Sequence, residues 1–559
     1  MRIRALRIPS LLISGVDERA AQKLFASSYT IEQVFPKLRS LIADSVNGRR
    51  SWSPGFYCSF FSSNLSTLNV EFSANTDAVE AWQLLSKQSP LLRSLKITPF
   101  RGLHRVIRGS PTVLFGPMSR AVERLRLLEH LECPDLDNNA LHAVSQLPSL
   151  RYLSLWTKQT LLPTPTAMAL RFPALQTLEL YSEDYKNTMN FLRSLETPPT
   201  TVMLADLKLS STKMEEFLSL LSQAHSQRLE DLEINGDLDI GYILDTETVI
   251  TIKTLRPLLC QRSLKRLYLC CIELQLSLSQ TDVQEIALSL PLLEEVEIRL
   301  GSEALVTLDG LWQFVQSLSH LTRLHVGVDI SGNLDLSDEA STALATPSKL
   351  GSISLDLPRG DNLSALITMI SRCFPALERL KLVSSTHFDT HTSPETLEPL
   401  LRLHRLKEVN LDLSLQYNLS DTDLATMTIA WPNLDVLSAH GASNGPFEPT
   451  STSVTLDGIL ALRETRISRA VLQVYLTNHP LNLEQLLERW KGFPPNRTMD
   501  TLEIWNVSSE DISKHKWADI LVLLTVVFVR LKFRVSWRMP RVQEIEGDPR
   551  QEEHSGNER

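Results

Sequence analysis

One pattern recurs along nearly the whole of this sequence and constrains its fold more than any other. It is a six-residue phrase with leucine or another apolar residue at the first, fourth and sixth positions, returning roughly every 22 to 37 residues. Among others, phrases begin at Leu65, Leu92, Leu150, Leu175, Leu229, Leu264, Leu293, Leu321, Leu350, Leu377 and Leu406. Residues two apart in a strand share a face, so each phrase predicts a strand with one apolar side. A single strand cannot bury that side alone, so the units must stack.

The segments between phrases carry apolar residues with helical spacing. Examples are Ala78, Trp82, Leu84 and Leu85 after the Leu65 phrase, and Met214, Phe217, Leu218 and Leu221 after the strand around Leu204. Strands alternating with helices in tandem predict an α/β fold. We expect a horseshoe-shaped solenoid, with a parallel β-sheet on its concave face and helices on its convex face. Because a solenoid grows without widening its core, one elongated domain suits a chain of 559 residues.

Proline introduces many of the phrases, often after an aromatic residue. The pairs are Phe35-Pro36, Leu147-Pro148, Phe172-Pro173, Leu290-Pro291, Phe374-Pro375 and Trp431-Pro432. Proline cannot continue a helix and favours an extended conformation in the residue before it. We therefore expect each pair to end a convex helix, with its apolar residue filling the space beneath the next strand.

The phrases set the predicted domain boundaries. We count about 19 of them, from Ile3 to a last phrase at 528–533. Five match the pattern least well: those at Ile3, Leu128, Leu434, Val471 and Met499. The solenoid is predicted to span residues 1–538, with a flexible insertion near 441–453, where glycine and proline cluster. The polar segment 539–559 is predicted to be a disordered tail.

Composition narrows the classes of partner. The chain is 43% hydrophobic and 22% charged, with a net charge of −9. Basic and acidic residues are interleaved along the strands, whereas duplex-binding proteins usually present a basic face, so we expect no nucleic-acid binding. The apolar run at 520–529 is too short to cross a bilayer, and we expect no membrane association. Six scattered cysteines without metal-ligand spacing are typical of reduced intracellular proteins and favour the cytoplasm or the nucleus.

Catalytic motifs are scarce in this sequence. It contains no glycine-rich phosphate loop, no nucleophile elbow and no paired-cysteine zinc motif. His387 and His391 have the spacing of a metal-binding helix, but threonines and Pro394 around them favour a loop. We therefore predict a protein that is not an enzyme, with no catalytic residue, no metal and no cofactor.

The third, fifth and seventh positions of each phrase should face away from the core, onto the concave surface. In two neighbouring repeats they are Tyr152, Ser154 and Trp156, then Thr177, Glu179 and Tyr181. Large aromatic side chains anchor many protein interfaces, because they bury much area at little entropic cost. The alternative is that Trp156 and Tyr181 lean into loop contacts at the strand ends.

Charges of opposite sign alternate on the following repeats. Asp231, Glu233 and Asn235 precede Arg266 and Tyr268, then Glu295, Glu297 and Arg299, and then Arg323 and His325. Two interpretations remain open: these charges pair across strands and keep the surface hydrated, or they give specificity for a protein partner. Glu503 and Trp505 would extend the surface. The candidate protein-binding residues are Tyr152, Trp156, Tyr181, Arg266, Tyr268, Glu297, Arg299, His325 and Trp505.

The phrases resemble the leucine-rich-repeat superfamily, in its ribonuclease-inhibitor-like branch. The lead-ins Phe172-Pro-Ala-Leu175 and Phe374-Pro-Ala-Leu377 are more specifically similar to those of fungal F-box/leucine-rich-repeat proteins. That resemblance implies a ubiquitin-ligase receptor whose repeats hold a protein substrate, while an N-terminal F-box docks on a cullin-ligase adaptor. No F-box pattern precedes Phe35-Pro36 here. We expect either that an F-box lies upstream of Met1 or that the chain is a free-standing scaffold or inhibitor that binds a protein without recruiting a ligase.

Overall fold

The structure is a computed structural model that describes part of the chain. The described residues are 4–9, 31–44, 58, 60–72, 77–99, 115–157, 169–182, 184–207, 209–225, 228–236, 249–271, 274–300, 306–330, 348–357, 362–384, 394–413, 419–440, 454, 456–462, 465–474, 499, 501–506 and 532–537. They belong to two compact units, Met1–Asp329 (unit 1) and Ile330–Arg559 (unit 2).

Unit 1 is built on a parallel sheet in which each long strand pairs with the next long strand in sequence. Its strands are β1 Ala5–Pro9, β2 Ser40–Asp44, β3 Thr67–Phe72, β4 Ser94–Pro99, β5 His130–Pro134, β6 Tyr152–Thr157, β7 Thr177–Ser182, β8 Thr201–Leu207, β9 Asp231–Gly236, β10 Val249–Ile250, β11 Arg266–Cys271, β12 Gln275–Leu276, β13 Glu295–Leu300, β14 Val306–Thr307 and β15 Arg323–Asp329. The short strands β10 and β12 pair with each other, and β14 pairs with the end of β15.

Helices connect these strands. They are α1 Ile31–Val34, α2 Asp77–Gln88, α3 Phe115–Arg124, α4 Asn138–Ser145, α5 Tyr185–Ser194, α6 Ser211–His225, α7 Ile252–Leu255 with a 3-10 turn at Arg256–Cys260, α8 Gln280–Ser289 and α9 Leu308–Ser317. Each helix lies between two consecutive strands of the sequence. This alternation of strand and helix is the arrangement that tandem repeats require to share one core.

Unit 2 repeats the same plan. Its parallel strands, again paired in sequence order, are β16 Ser352–Asp356, β17 Arg379–Val383, β18 Glu408–Asp412, β19 Val436–His440, β20 Arg469–Val474, β21 Thr501–Asn506 and β22 Lys532–Trp537. Its described helices are α10 Leu363–Cys373, α11 Pro394–Leu397 with a 3-10 turn at Glu398–Arg402, α12 Asp421–Ala430 and α13 Leu456–Ala461. The predicted α/β solenoid with a parallel sheet and leucine-rich-repeat character is confirmed.

The phrase determines which side of each strand is buried. In β7 the side chains alternate regularly, with Leu178 and Leu180 buried and Thr177, Glu179 and Tyr181 half-buried on the other face. The first residue of the same phrase, Leu175, is also buried. Since the strands are in register, the leucines of successive repeats lie side by side and form a continuous core within each unit.

The helices complete that core from the side where the leucines point. Met214, Phe217, Leu218 and Leu221 of α6 are fully buried, as their spacing predicts. In α2, Trp82 and Leu85 are buried together with Ala81, whereas the predicted core residue Leu84 is half-buried. Two of the predicted core residues of α2, Trp82 and Leu85, are therefore confirmed, and Leu84 lies at the edge of the buried stripe.

The proline lead-ins form a recurring turn. The backbone N–H of Phe374 donates to Ile370 O at 3.0 Å and ends α10, and the N–H of Leu377 then donates to Phe374 O at 3.0 Å. Trp431 and Leu434 make the same turn, and the Trp431 indole also donates to Leu400 O at 3.1 Å. Phe374 and Trp431 are buried beneath the following strand, as predicted.

Two strands begin at other residues than the sequence suggests. In β20, Ile467 and Ala470 are buried and Ala470 lies opposite Leu437, so the phrase starts at Ile467 and not at Val471. In β22, Phe533 lies opposite Leu502, which places the last phrase two residues later than 528–533. In β20, alanine in the fourth position hides the start of the phrase. Before β22, a long apolar stretch allows several equivalent alignments of the phrase.

Several predictions concern segments outside the described residues. These are the insertion at 441–453, the tail at 539–559, the apolar run at 520–529, and His387 with His391. Within the described part of the chain, no helix has the length and apolar content that crossing a membrane requires.

Candidate protein-binding face

The side chains that point away from the buried leucines form what we call the open face of each unit. In unit 1 the strand register arranges them in three rows, one residue from each strand. The first row contains His130, Tyr152, Thr177, Thr201, Asp231, Arg266, Glu295 and Arg323. The middle row contains Glu132, Ser154, Glu179, Met203, Glu233, Tyr268, Glu297 and His325. The last row includes Pro134, Trp156, Tyr181 and, beyond β8, Asn235, Cys270 and Arg299.

Aromatic residues cluster where β5, β6 and β7 meet the open face. Trp156 and Tyr181 lie directly opposite each other, with ring centroids 5.5 Å apart and planes inclined at 43°. Tyr152 packs against His130 at 5.9 Å. Trp156, Tyr181 and Tyr152 are all half-buried, so part of each ring remains accessible. The tilted Trp156–Tyr181 arrangement is a favourable aromatic geometry and holds both rings in place.

Tyr152 is linked to the middle row through its phenol. Burial raises the pKa of Tyr152, and a hydrogen bond to Glu179 together with the negative charge of that carboxylate raises it further. The phenol therefore stays protonated at neutral pH and donates to Glu179, which orients the carboxylate on the open face.

The predicted alternation of charges brings Arg266 and Asp231 together. Arg266 donates to both carboxylate oxygens of Asp231, with Nε 2.6 Å from Oδ1, and Thr201 Oγ1 donates to Oδ2 at 2.9 Å. Burial raises the pKa of Asp231, but the hydrogen bonds from Arg266 and Thr201 outweigh it, and the net pKa is lowered. The guanidinium of Arg266 is therefore already hydrogen-bonded to a carboxylate of unit 1.

Tyr268 and Arg323 both bind Glu295. The Tyr268 phenol donates to Glu295 Oε2, and Arg323 Nη1 lies 3.5 Å from the same oxygen. Burial and the Glu295 carboxylate raise the pKa of Tyr268 to about 12. Tyr268 is therefore a fixed donor at neutral pH, held between neighbouring strands.

Glu297, Arg299 and His325 form a second charged group. Arg299 Nε lies 3.0 Å from Glu297 Oε1 and 3.0 Å from His325 Nδ1, and His325 Nδ1 lies 3.6 Å from Glu297 Oε1. A hydrogen bond with His325 and the charge of Arg299 lower the pKa of Glu297 against the effect of its burial. His325 is only 4% exposed. Although it belongs to the middle row of the open face, its ring is buried and accepts a hydrogen bond from Arg299.

The middle row is acidic along much of unit 1. Glu132 is neutralised by Lys96, with Nζ 2.6 Å from Oε2, and Glu297 is neutralised by Arg299. Glu179 accepts from Tyr152, and Glu233 accepts from Asn235 Nδ2 at 2.6 Å. Burial raises the pKa of Glu233, and the charges of Glu179 and Glu297 add to that rise. Within the described residues, neither Glu179 nor Glu233 has a Lys or Arg at ion-pair distance.

Trp505 belongs to unit 2. Its backbone lies in β21, opposite Gln473 of β20 and Ser536 of β22. The placement of its side chain falls outside the described part of the structure. Leu502, three residues earlier in the same strand, is fully buried.

Not every residue of this face was named from the sequence. His130 and Glu132 belong to the Leu128 phrase, which matches the repeat poorly because Cys133 replaces leucine in its sixth position. Cys133 is nevertheless fully buried. Treating cysteine as a small core residue would have strengthened the predicted Leu128 phrase and placed these two side chains on the open face.

The open face of unit 1 can hydrogen-bond, form ion pairs and stack, but a metal-binding arrangement is not found among the residues that the structure describes. A comparison with protein-family models finds no match for this chain. A comparison with curated proteins likewise finds no similar sequence. The leucine-rich-repeat architecture is therefore assigned from the phrases, the register of the sheet and the burial of its leucines.

Proposed function

We propose that this chain is a non-enzymatic scaffold that binds a protein partner on the open face of unit 1. The observation that carries the proposal is the half-buried Trp156–Tyr181 pair, held beside Tyr152 and Glu179 on two adjacent strands. Their place in the sheet is not needed to fill the core, since Leu153, Leu155, Leu178 and Leu180 do that. Rigid aromatic groups on an accessible surface are frequent anchors of protein interfaces.

Within this class we propose the substrate-recognition portion of an F-box-type ubiquitin-ligase receptor, acting in the cytoplasm or nucleus. Its support is the style of the repeats: units of strand and helix whose phenylalanine-proline lead-ins resemble those of F-box/leucine-rich-repeat proteins, with Phe172 and Phe374 buried before the prolines. The alternative is a free-standing scaffold or inhibitor that occupies its partner's surface.

Affinity capture from a lysate of the source cells tests the binding role. The bait is the full chain, compared with the double variant Trp156→Ala with Tyr181→Ala and with the control Leu288→Ala, which removes an apolar side chain that is 78% exposed on α8. We expect the double variant to recover much less of a protein that the control still captures. The loss should correspond to more than about 1 kcal/mol of binding free energy. Equal capture by all three baits would remove the aromatic pair from the interface.

The captured proteins also separate the two candidate functions. A cullin-ligase adaptor recovered in stoichiometric amount supports the ligase receptor, whereas a stable complex without an adaptor supports the free-standing scaffold. Reading the transcript in frame upstream of Met1 adds an independent test, because adaptor docking requires an F-box segment of a few helices.

A further inference from the structure

We propose that the open face of unit 1 recognises a basic segment of its protein partner, and that an arginine of this segment is seated on the patch formed by Ser154, Trp156, Glu179 and Tyr181. We call these four residues the aromatic-acidic patch. This inference rests on the proposed binding function and adds the chemistry of the partner.

The strand register places the four residues at the corners of one small area. Ser154 lies opposite Glu179, and Trp156 lies opposite Tyr181, on the adjacent strands β6 and β7. Neighbouring strands are about 4.8 Å apart, and a step of two residues along a strand is roughly 6.6 Å. One extended arginine side chain therefore reaches both the Trp156–Tyr181 rings and the Glu179 carboxylate.

The charge around the patch is suited to a cation. Glu179 and Glu233 receive hydrogen bonds from the neutral side chains of Tyr152 and Asn235. The middle-row acids at both sides, Glu132 and Glu297, are already paired with Lys96 and Arg299. The mutual repulsion of Glu179, Glu233 and Glu297 contributes to the raised pKa of Glu233. A positive charge placed beside Glu179 would relieve that repulsion.

Ser154 lies at the base of the patch. Its side chain is fully buried, on the same side of β6 as Tyr152 and Trp156 and opposite to the core residues Leu153 and Leu155. Its hydroxyl lies near the Tyr152 phenol, but its Oγ has no hydrogen-bond partner of good geometry within the described residues. Because its Oγ has no accessible surface, Ser154 lies beneath the seat of the arginine, and the contacts fall to Trp156, Tyr181 and Glu179.

Arginine fits these groups better than other side chains. Its planar guanidinium stacks on aromatic rings and carries five donors, which suits Trp156 with Tyr181 on one side and Glu179 on the other. An apolar partner would remove water from Glu179 and Glu233 without compensating their charge. An acidic partner would be repelled by the middle row.

The test is calorimetric titration of the full chain with an octa-arginine peptide at about 0.15 M salt, where charges farther apart than roughly 8 Å are screened. The variants are Glu179→Gln and Glu215→Gln, which change net charge equally. Glu215 lies exposed on α6, away from the open face. We expect Glu179→Gln to weaken binding by about threefold to tenfold and Glu215→Gln to change it less than about twofold.

Trp156→Ala should weaken octa-arginine binding at least fivefold, and Glu233→Gln gives a second charge variant if Glu179→Gln alters the circular dichroism spectrum. The inference is overturned if octa-arginine does not bind, if Glu179→Gln and Glu215→Gln bind equally, or if octa-glutamate binds as tightly. A protein captured by the wild type and lost by the aromatic double variant, but retained by Glu179→Gln, would leave the binding face correct and the arginine wrong. Capture unaffected by every variant would instead reject the proposed function.

Discussion

The open faces of the two units carry different chemistry on the same arrangement of strands. In unit 1 the middle row brings Glu132, Glu179 and Glu233 beside an aromatic pair. In unit 2 the equivalent positions of β16 to β19 are Ser354, Lys381, Asn410 and Ser438. Burial on the core side is nevertheless the same, with Leu178 of β7 and Leu380 of β17 both fully buried. The core positions are therefore alike in the two units, while the facing positions differ in chemistry.

The largest effect on stability should come from core positions that are equivalent in the two units. Leu178→Ala in β7 and Leu380→Ala in β17 each remove a fully buried side chain from the fourth position of a phrase. We expect each to lower the free energy of unfolding of its unit by about 2–5 kcal/mol, because a cavity remains in a packed core. Amide hydrogen exchange in the strands of each unit measures this. A loss below about 1 kcal/mol in one unit would show that its core does not depend on the phrase as proposed.

A second comparison uses helical glycines. In unit 2, a Cβ on Gly458 of α13 would lie 2.1 Å from Asp421 Oδ1 of α12, so Gly458→Ala must displace that side chain. We expect it to cost about 1–3 kcal/mol. In unit 1, a Cβ on Gly116 of α3 would meet only Arg120 Nη1 at 3.9 Å. Gly116→Ala should therefore be neutral or stabilising by up to about 1 kcal/mol. Denaturant unfolding of the two variants would contradict this packing if the order of their effects were reversed.

Each unit contains a helix with the same type of N-terminal cap, and the two caps provide a matched pair of variants. Ser279 begins α8 and Ser420 begins α12, and each forms a reciprocal capping box with an aspartate three residues later, Asp282 and Asp423. We expect Ser279→Ala and Ser420→Ala to lower the free energy of unfolding by about 1 kcal/mol each. Clearly unequal losses, measured by thermal unfolding of the two variants, would show that the helices differ in their dependence on the cap.

The smallest effect concerns ion pairs and pH. The pKa of Asp231 in unit 1 is lowered overall by Arg266 and Thr201, and the pKa of Glu378 in unit 2 is lowered by Lys407. A carboxyl whose folded pKa is lowered stabilises the protein above its unfolded pKa, near 4, and this contribution is lost as pH falls through the folded pKa. Asp231 is 15% exposed and Glu378 is 41% exposed, so solvent screens the second pair more.

Asp231→Asn should therefore reduce stability at pH 6 more than Glu378→Gln does, and both differences from the wild type should shrink below pH 4. Thermal unfolding of both variants between pH 3 and pH 6 measures this. An equal or larger effect of Glu378→Gln would indicate that burial does not decide the strength of these pairs.

Much of the fold was predictable because the phrase encodes it locally. The alternation of Leu178 and Leu180 with Thr177, Glu179 and Tyr181 follows from strand geometry alone. The turn at Phe374 and Trp431 follows from the chemistry of proline. Prediction of where a phrase starts failed at Ala470, because alanine in the fourth core position weakens the periodic signal.

The candidate site was less predictable, since it depends on contacts between repeats. The sequence identified Trp156 and Tyr181 as facing residues, but their contact at 5.5 Å follows from the register of β6 and β7. It also could not distinguish Arg266, which is held by Asp231, from Glu179, which has no described cation beside it. His325 is buried, and Arg299 of the neighbouring strand donates to its ring, a contact that spacing along the sequence does not show.

The sequence by itself determined the repeat, the alternation of buried and facing residues, and therefore an α/β solenoid with a parallel sheet. These depend on interactions within about six residues, where spacing alone decides which side chains share a face. The tertiary structure decided which facing charges pair, as Arg266 and Asp231 do, and which described carboxylates have no cation at ion-pair distance. Those outcomes depend on residues about 20 to 36 positions apart, whose alignment is set by the packing of the intervening helices.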